Sequence, residues 1–126
     1  MIVADSDVLI DFLRGTQGGA KRFAEELGKA TLATTAITAF EVRSGAHSAK
    51  QKKTIETLLA AMDILPFGAP EAALAAELRQ ELDRAGTPIG MADYMIAATC
   101  LTHRGTLLTR NLKHFARIER LKLAEL

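Results

Sequence analysis

Little in this chain can crosslink it, stack bases on it or carry it through a bilayer. One cysteine, Cys100, stands among 126 residues, so no internal disulfide can form and a reducing compartment suits it. Cys100 lies in the apolar run MIAATCL and is expected in the core. No Cys/His spacing suggests zinc. Tryptophan is absent and there is one tyrosine, which argues against an aromatic platform for unpaired bases. No apolar run approaches the ~20 residues of a membrane-spanning helix. No basic segment followed by a long apolar stretch opens the chain. The expectation is a cytoplasmic domain with no membrane partner. A dominant charge is missing too. Sixteen Lys and Arg stand against 15 Asp and Glu, for a net charge of +1. Nucleic acid would therefore have to be met by a local basic face.

What is present reads as an ordinary globular chain: 48% hydrophobic and 25% charged residues. One domain over residues 1–126 is expected, long enough to bury a core without staples. A first strand is expected at Ile2–Ala4, then a helix capped by Ser6, running through Leu13 and ended by Gly15. A helix over Ala20–Leu27 and a strand near Thr31–Thr34 follow. TAFEVRSGA carries a capping-box spacing, with Thr38 as the cap and Glu41 three residues on. Ile55, Leu58, Leu59 and Met62 form one helical stripe. Ile64–Phe67 reads as a strand, and Leu74, Leu78 and Leu82 mark another helix. Gly90–His103 reads as an apolar helix with Asp93 in its first turn. A strand at Thr106–Thr109, a short helix at Asn111–Phe115 and a strand around Leu121–Leu123 close the chain. Strands alternating with helices predict an α/β fold with a parallel sheet of four to five strands, covered on both sides.

Asp5, at the end of VADSDVLIDFLRG's opening strand, is the first of four polar residues this alternation places along one sheet edge. Glu41, Asp93 and Asn111 are the others. Ligands of open parallel sheets bind at that edge. Each residue also has a local explanation: a turn, a capping box, a first-turn acid, an N-cap. Their convergence is what needs more. Two unit charges about 5 Å apart at an effective dielectric of ~20 repel by roughly 3 kcal/mol per pair. A helix N-terminus returns only ~0.3–1 kcal/mol per acid. A hard divalent ion resolves the balance, and such an ion can orient water against a phosphodiester.

The blocks VADSDVLIDFLRG, TAFEVRSGA, IGMADYMIAA and LLTRNLKHF together resemble the PIN domain, in particular the VapC-type toxins of bacterial toxin–antitoxin pairs. The resemblance spans the whole chain. It implies a PIN-like three-layer fold and a Mg2+- or Mn2+-dependent ribonuclease site. Asp5, Glu41 and Asp93 match the family's acids as metal ligands, with Glu41 a ligand or a water-orienting base. The family's fourth position often carries Asp and here is Asn111, a poorer cation ligand, which leaves one ion or two open. Ser6 and Thr109 are candidate supports. Asp7 is expected to order the backbone rather than bind the ion. Arg14, Arg43, Arg110 and Lys113 are candidate RNA contacts, with His114 and Arg117 behind them. His47, His103 and His114 are otherwise expected in structural or surface roles, and Lys50, Lys52 and Lys53 in a solvated helix start. The resemblance further implies a VapB-like antitoxin, seated in an apolar groove for which Phe12, Phe23 and Phe40 are candidates, and a homodimer. An inactive PIN-like module that binds RNA or protein is the alternative.

Overall fold

The computed structural model describes residues 1–16 and 19–126. Its order is β1 (Ile2–Ala4), α1 (Ser6–Arg14), α2 (Gly19–Gly28), β2 (Leu32–Thr35), α3 (Ala36–Ser44), α4 (Ala49–Ala60), β3 (Asp63–Leu65), α5 (Ala69–Ala85), α6 (Met91–Thr102), β4 (Thr106–Leu108), α7 (Leu112–Phe115) and β5 (Lys122–Leu123). The strands form one parallel sheet in the order β3-β2-β1-β4-β5. The PIN-like α/β expectation, with four to five strands, is met.

Strand pleating divides the core. Val3, Ala33 and Leu107 face one layer, packed with Leu78 and Leu82 of α5 and Ile96, Ala97 and Cys100 of α6. Their strand neighbours Ala4, Leu32 and Leu108 face the other, with Val8 and Leu9 of α1, Phe23 of α2 and Val42 of α3. Side chains alternate across a strand, so each short apolar run feeds both layers. That is why these runs are apolar throughout.

Several boundaries move, each for a local reason. Asp5, not Ser6, caps α1: its carboxylate accepts the Ser6 N–H at 2.8 Å. Gly15 ends that helix at φ 65°, a left-handed conformation glycine adopts at little cost. Thr35, not Thr38, caps α3, accepting the Thr38 N–H at 3.0 Å. Glu41 therefore lies in the second turn of α3 and is no capping-box partner. The second strand ends at Thr35 rather than Thr34. β3 stops at Leu65 rather than Phe67, because Pro66 has no N–H for the ladder. α4 opens on a full capping box of Ser48 and Gln51, with Lys50, Lys52 and Lys53 exposed as expected. Cys100 is fully buried, and burial pushes its thiol up to about 12.

Candidate functional site

β1 is the point where strand order reverses, with β2 on one side and β4 on the other. Parallel strands all end at one edge there, and the helices that follow begin there. The Asp5 N–H donates to the Leu108 carbonyl at 2.9 Å, which locks the end of β1 to β4. Asp5 is buried. Its Oδ2 accepts the Thr109 hydroxyl at 2.7 Å. That hydroxyl also lies 3.3 Å from Asp7 Oδ2 and accepts the Asn111 N–H at 3.0 Å.

Asp7, in the first turn of α1, takes the Arg110 N–H on Oδ2 at 3.0 Å, so it orders backbone as expected. Its Oδ1 is nevertheless buried with no partner, and so is Glu41 Oε1. Two carboxylate oxygens without donors are costly inside a protein. The unpartnered oxygen is a feature of Asp7 that the expected backbone role does not include. The available signal was its place two residues after the capping Asp5, in the first helical turn beside the same sheet edge.

The site's electrostatics agree across three groups. Burial pushes the Asp5 carboxyl up to about 6, and repulsion from Asp7 and Asp93 adds to this; the Thr109 hydroxyl and Ser6 amide oppose it. Burial also raises Glu41, with Asp93 and Asp7 adding repulsion and the Ser6 side chain opposing. Asp93 is raised by burial and by Asp7, against the pull of His114 and the Gly90 amide. Asp5, Asp7, Glu41 and Asp93 thus share one field. Asn111 joins through His114, whose Nδ1 lies 3.0 Å from Asn111 Nδ2 and 3.8 Å from Asp93 Oδ2. His114 is therefore part of the rim and not only a surface residue. His103 lies elsewhere, 3.3 Å from Glu71.

The cation test rests on the donors. They are hard carboxylate oxygens, two of them orphaned. Among the described residues, no group of three or more acidic, histidine or cysteine side chains is placed to hold a metal ion together. Magnesium does not require one: it commonly binds through one or two carboxylates and keeps its waters for substrate oxygens. The donor set fits an ion held in that open manner.

The basic candidates separate. Arg43 is engaged with Glu56 at 2.6 and 3.0 Å, and Arg110 forks onto buried Asp11 at 2.6 and 3.2 Å. Arg117 donates to the Pro88 carbonyl at 2.7 Å. Arg14, in the last turn of α1, lines a cavity of about 390 Å³ that Glu41, Ile10, Leu13, Val42 and Ile55 also line. Lys113 is exposed on α7. The phenylalanine candidates separate too. Phe23 is core, Phe12 packs on it at a tilt with ring centroids 4.8 Å apart, and Phe40 is 68% exposed beside Glu41.

The PIN domain family model matches residues 2–121. The chain belongs to the PIN-domain family. As a PIN domain it is similar to the VapC type. A Mycobacterium tuberculosis protein named Ribonuclease VapC10 is 32% identical over 97% of this chain and 91% of its own length. Among solved structures, VapBC2 from Rickettsia felis, bound to a DNA fragment, matches with a TM-score of 0.82 and 28% identity, covering 98% of each chain. A toxin–antitoxin complex from Klebsiella pneumoniae matches with a TM-score of 0.75 and 30% identity, over 96% of this PIN domain and 95% of that chain. Among the described residues, no helix of the PIN domain is long and apolar enough to cross a membrane.

Proposed function

We propose that this PIN domain is a Mg2+- or Mn2+-dependent endoribonuclease and the toxin of a VapBC-type pair in the cytoplasm. One observation carries the chemistry: Asp5, Asp7, Glu41 and Asp93 share a partly buried site in which three of them are raised and two oxygens are orphaned. The chain-long likeness to a ribonuclease of the VapC type supports the substrate class.

In this reading Asp5 and Asp93 hold the cation, and Glu41 either ligates it or receives a proton from the attacking water. A bound divalent ion supplies charge stabilisation for the phosphoryl group and a water of lowered pKa. Ser6 and Thr109 fix the carboxylates by hydrogen bonding. Asn111 holds the rim beside His114. Arg14 and Lys113 are the cations offered to RNA phosphates, since Arg43 and Arg110 are committed to carboxylates. A VapB-like antitoxin would lay an amphipathic helix into the apolar cavity between α1, α3 and α4, ending at Glu41. A homodimer completes the assignment by resemblance.

The test is cleavage of a mixed RNA pool by protein freed of antitoxin, with Mg2+ or Mn2+ and with chelator. Cleavage should require the metal and fall by about 100-fold or more in Asp93→Asn. RNA binding without cleavage under either metal, tRNA and rRNA included, would favour the inactive module that Asn111 suggests.

A further inference from the structure

The loop joining β4 to α7 lies along one face of α1, and each of its residues is tied to an acid there or to its own neighbour. Thr109 bonds Asp5, the Arg110 N–H bonds Asp7, and the Asn111 N–H returns to the Thr109 hydroxyl. One further contact fastens the loop. The Arg110 guanidinium grips Asp11 through two nitrogens, at 2.6 and 3.2 Å. Asp11 follows Asp7 by four residues and so shares its helix face. It is buried, and it also accepts the Gly19 N–H at 3.2 Å and the Thr16 hydroxyl at 3.3 Å. Its position is therefore set from two sides before Arg110 arrives.

We infer that Asp11 and Arg110 are a positioning pair, which holds residues 109–111 against α1 so that the Asp5 and Asp7 carboxylates present fixed oxygens to the site. A bidentate fork specifies orientation as well as distance. With the fork closed, Arg110 can only offer its N–H to Asp7 Oδ2. That leaves Asp7 Oδ1 as the oxygen without a donor, beside the other acids. The fork engages Nε and Nη2 of Arg110 on Asp11. Partners of this outer kind commonly control metal affinity or activity by 10–100-fold.

This inference rests on reading the acid cluster as an ion-dependent site, so its test includes readouts that need no turnover. Arg110→Ala and Arg110→Lys are compared with wild type for amide exchange at residues 110 and 111, Mn2+ affinity by electron paramagnetic resonance, and kcat and KM on RNA. Asp11 keeps the Gly19 and Thr16 donors in both variants, so each should remain folded. Arg110→Ala should speed exchange at both amides and weaken Mn2+ binding by about 10-fold or more. It should lower kcat with KM held within about twofold. Arg110→Lys, with the charge but no fork, should fall between. A raised KM with kcat unchanged would make Arg110 an RNA contact and overturn the inference. So would unchanged exchange and Mn2+ affinity, which would reduce the pair to a fastening. A wild type that binds Mn2+ yet cleaves no RNA would defeat the nuclease reading alone, with exchange and Mn2+ affinity still deciding the positioning role. A wild type that binds no Mn2+ would overturn both.

Discussion

Asp5 shows how one residue serves two opposed demands. It caps α1 through the Ser6 N–H, yet burial, with repulsion from Asp7 and Asp93 added, pushes its carboxyl up to about 6. A raised carboxyl works against folding at neutral pH, because the native state holds its proton more tightly than the unfolded chain. The difference amounts to roughly 1–3 kcal/mol for a shift of this size. Asp5→Asn should therefore raise the melting temperature of metal-free protein at pH 7.5 by several degrees. The gain should shrink at pH 5, where Asp5 is largely protonated in the wild type. Metal-dependent cleavage should be lost. Scanning calorimetry at the two pH values checks the sign. A variant less stable than wild type at pH 7.5 would mean that the cap outweighs the repulsion.

At the scale of elements, α3 delivers Glu41, and its cap sets the turn from which Glu41 is counted. Thr35 is fully buried, accepts the Thr38 N–H at 3.0 Å and meets the Thr38 hydroxyl at 3.1 Å. Thr35→Ala should cost about 1–2 kcal/mol in urea unfolding, and Thr35→Ser much less. The β4 end of the sheet has a tighter constraint. A Cβ on Gly105 would stand 2.5 Å from Val3 Cγ2, in the strand that ends just before Asp5. Gly105→Ala should destabilise by about 1–3 kcal/mol and depress activity per folded molecule, because β1 must shift to make room. Urea titration combined with active-fraction assays separates the two effects. Two elements on this scale were misread for definable reasons. Threonines at 34, 35 and 38 offered several caps, and spacing alone chose the wrong one. β3 was carried past a proline that the sheet cannot use.

The whole molecule holds two populations of carboxylates. Asp11, Glu26 and Glu71 sit below their ordinary range. In Asp11 and Glu26 hydrogen bonds and cations outweigh burial, and in Glu71 backbone hydrogen bonds lead. Their stabilisation is present above their unfolded pKa values and is lost as pH falls through the depressed folded ones. Asp5, Glu41 and Asp93 lie above their range, so their contribution runs the other way: stability rises as pH falls from neutrality through their folded values. Metal-free protein should therefore be more stable at mildly acidic pH than at neutrality, until the carboxylates held below their ordinary range begin to protonate. Excess Mg2+ or Mn2+ should move the optimum toward neutrality and raise the melting temperature with ion concentration, while chelator reverses both. Thermal melts across pH with and without metal test this. A metal-independent profile would remove the ion from the account.

The sequence by itself determined the alternation of strands and helices, the parallel sheet, and the placement of Asp5, Glu41, Asp93 and Asn111 along one edge. Those features follow from local periodicity and from the topology of parallel sheets, both written in near-neighbour order. Tertiary structure alone decided which side chains reach the edge and what each meets there. No spacing shows that one oxygen of Asp7 is buried without a donor. The carboxylate partners of Arg110 and Arg43 were not legible, because a cation's partner across about 100 residues, or across two helices, leaves no trace in local pattern. His114 reached the rim by the same route. Nor does local pattern separate the phenylalanines: helical phase turns Phe40 to solvent beside Glu41 while Phe23 goes to the core. Burial and hydrogen bonding depend on distances between segments remote in the chain, and these are settled only when the layers pack.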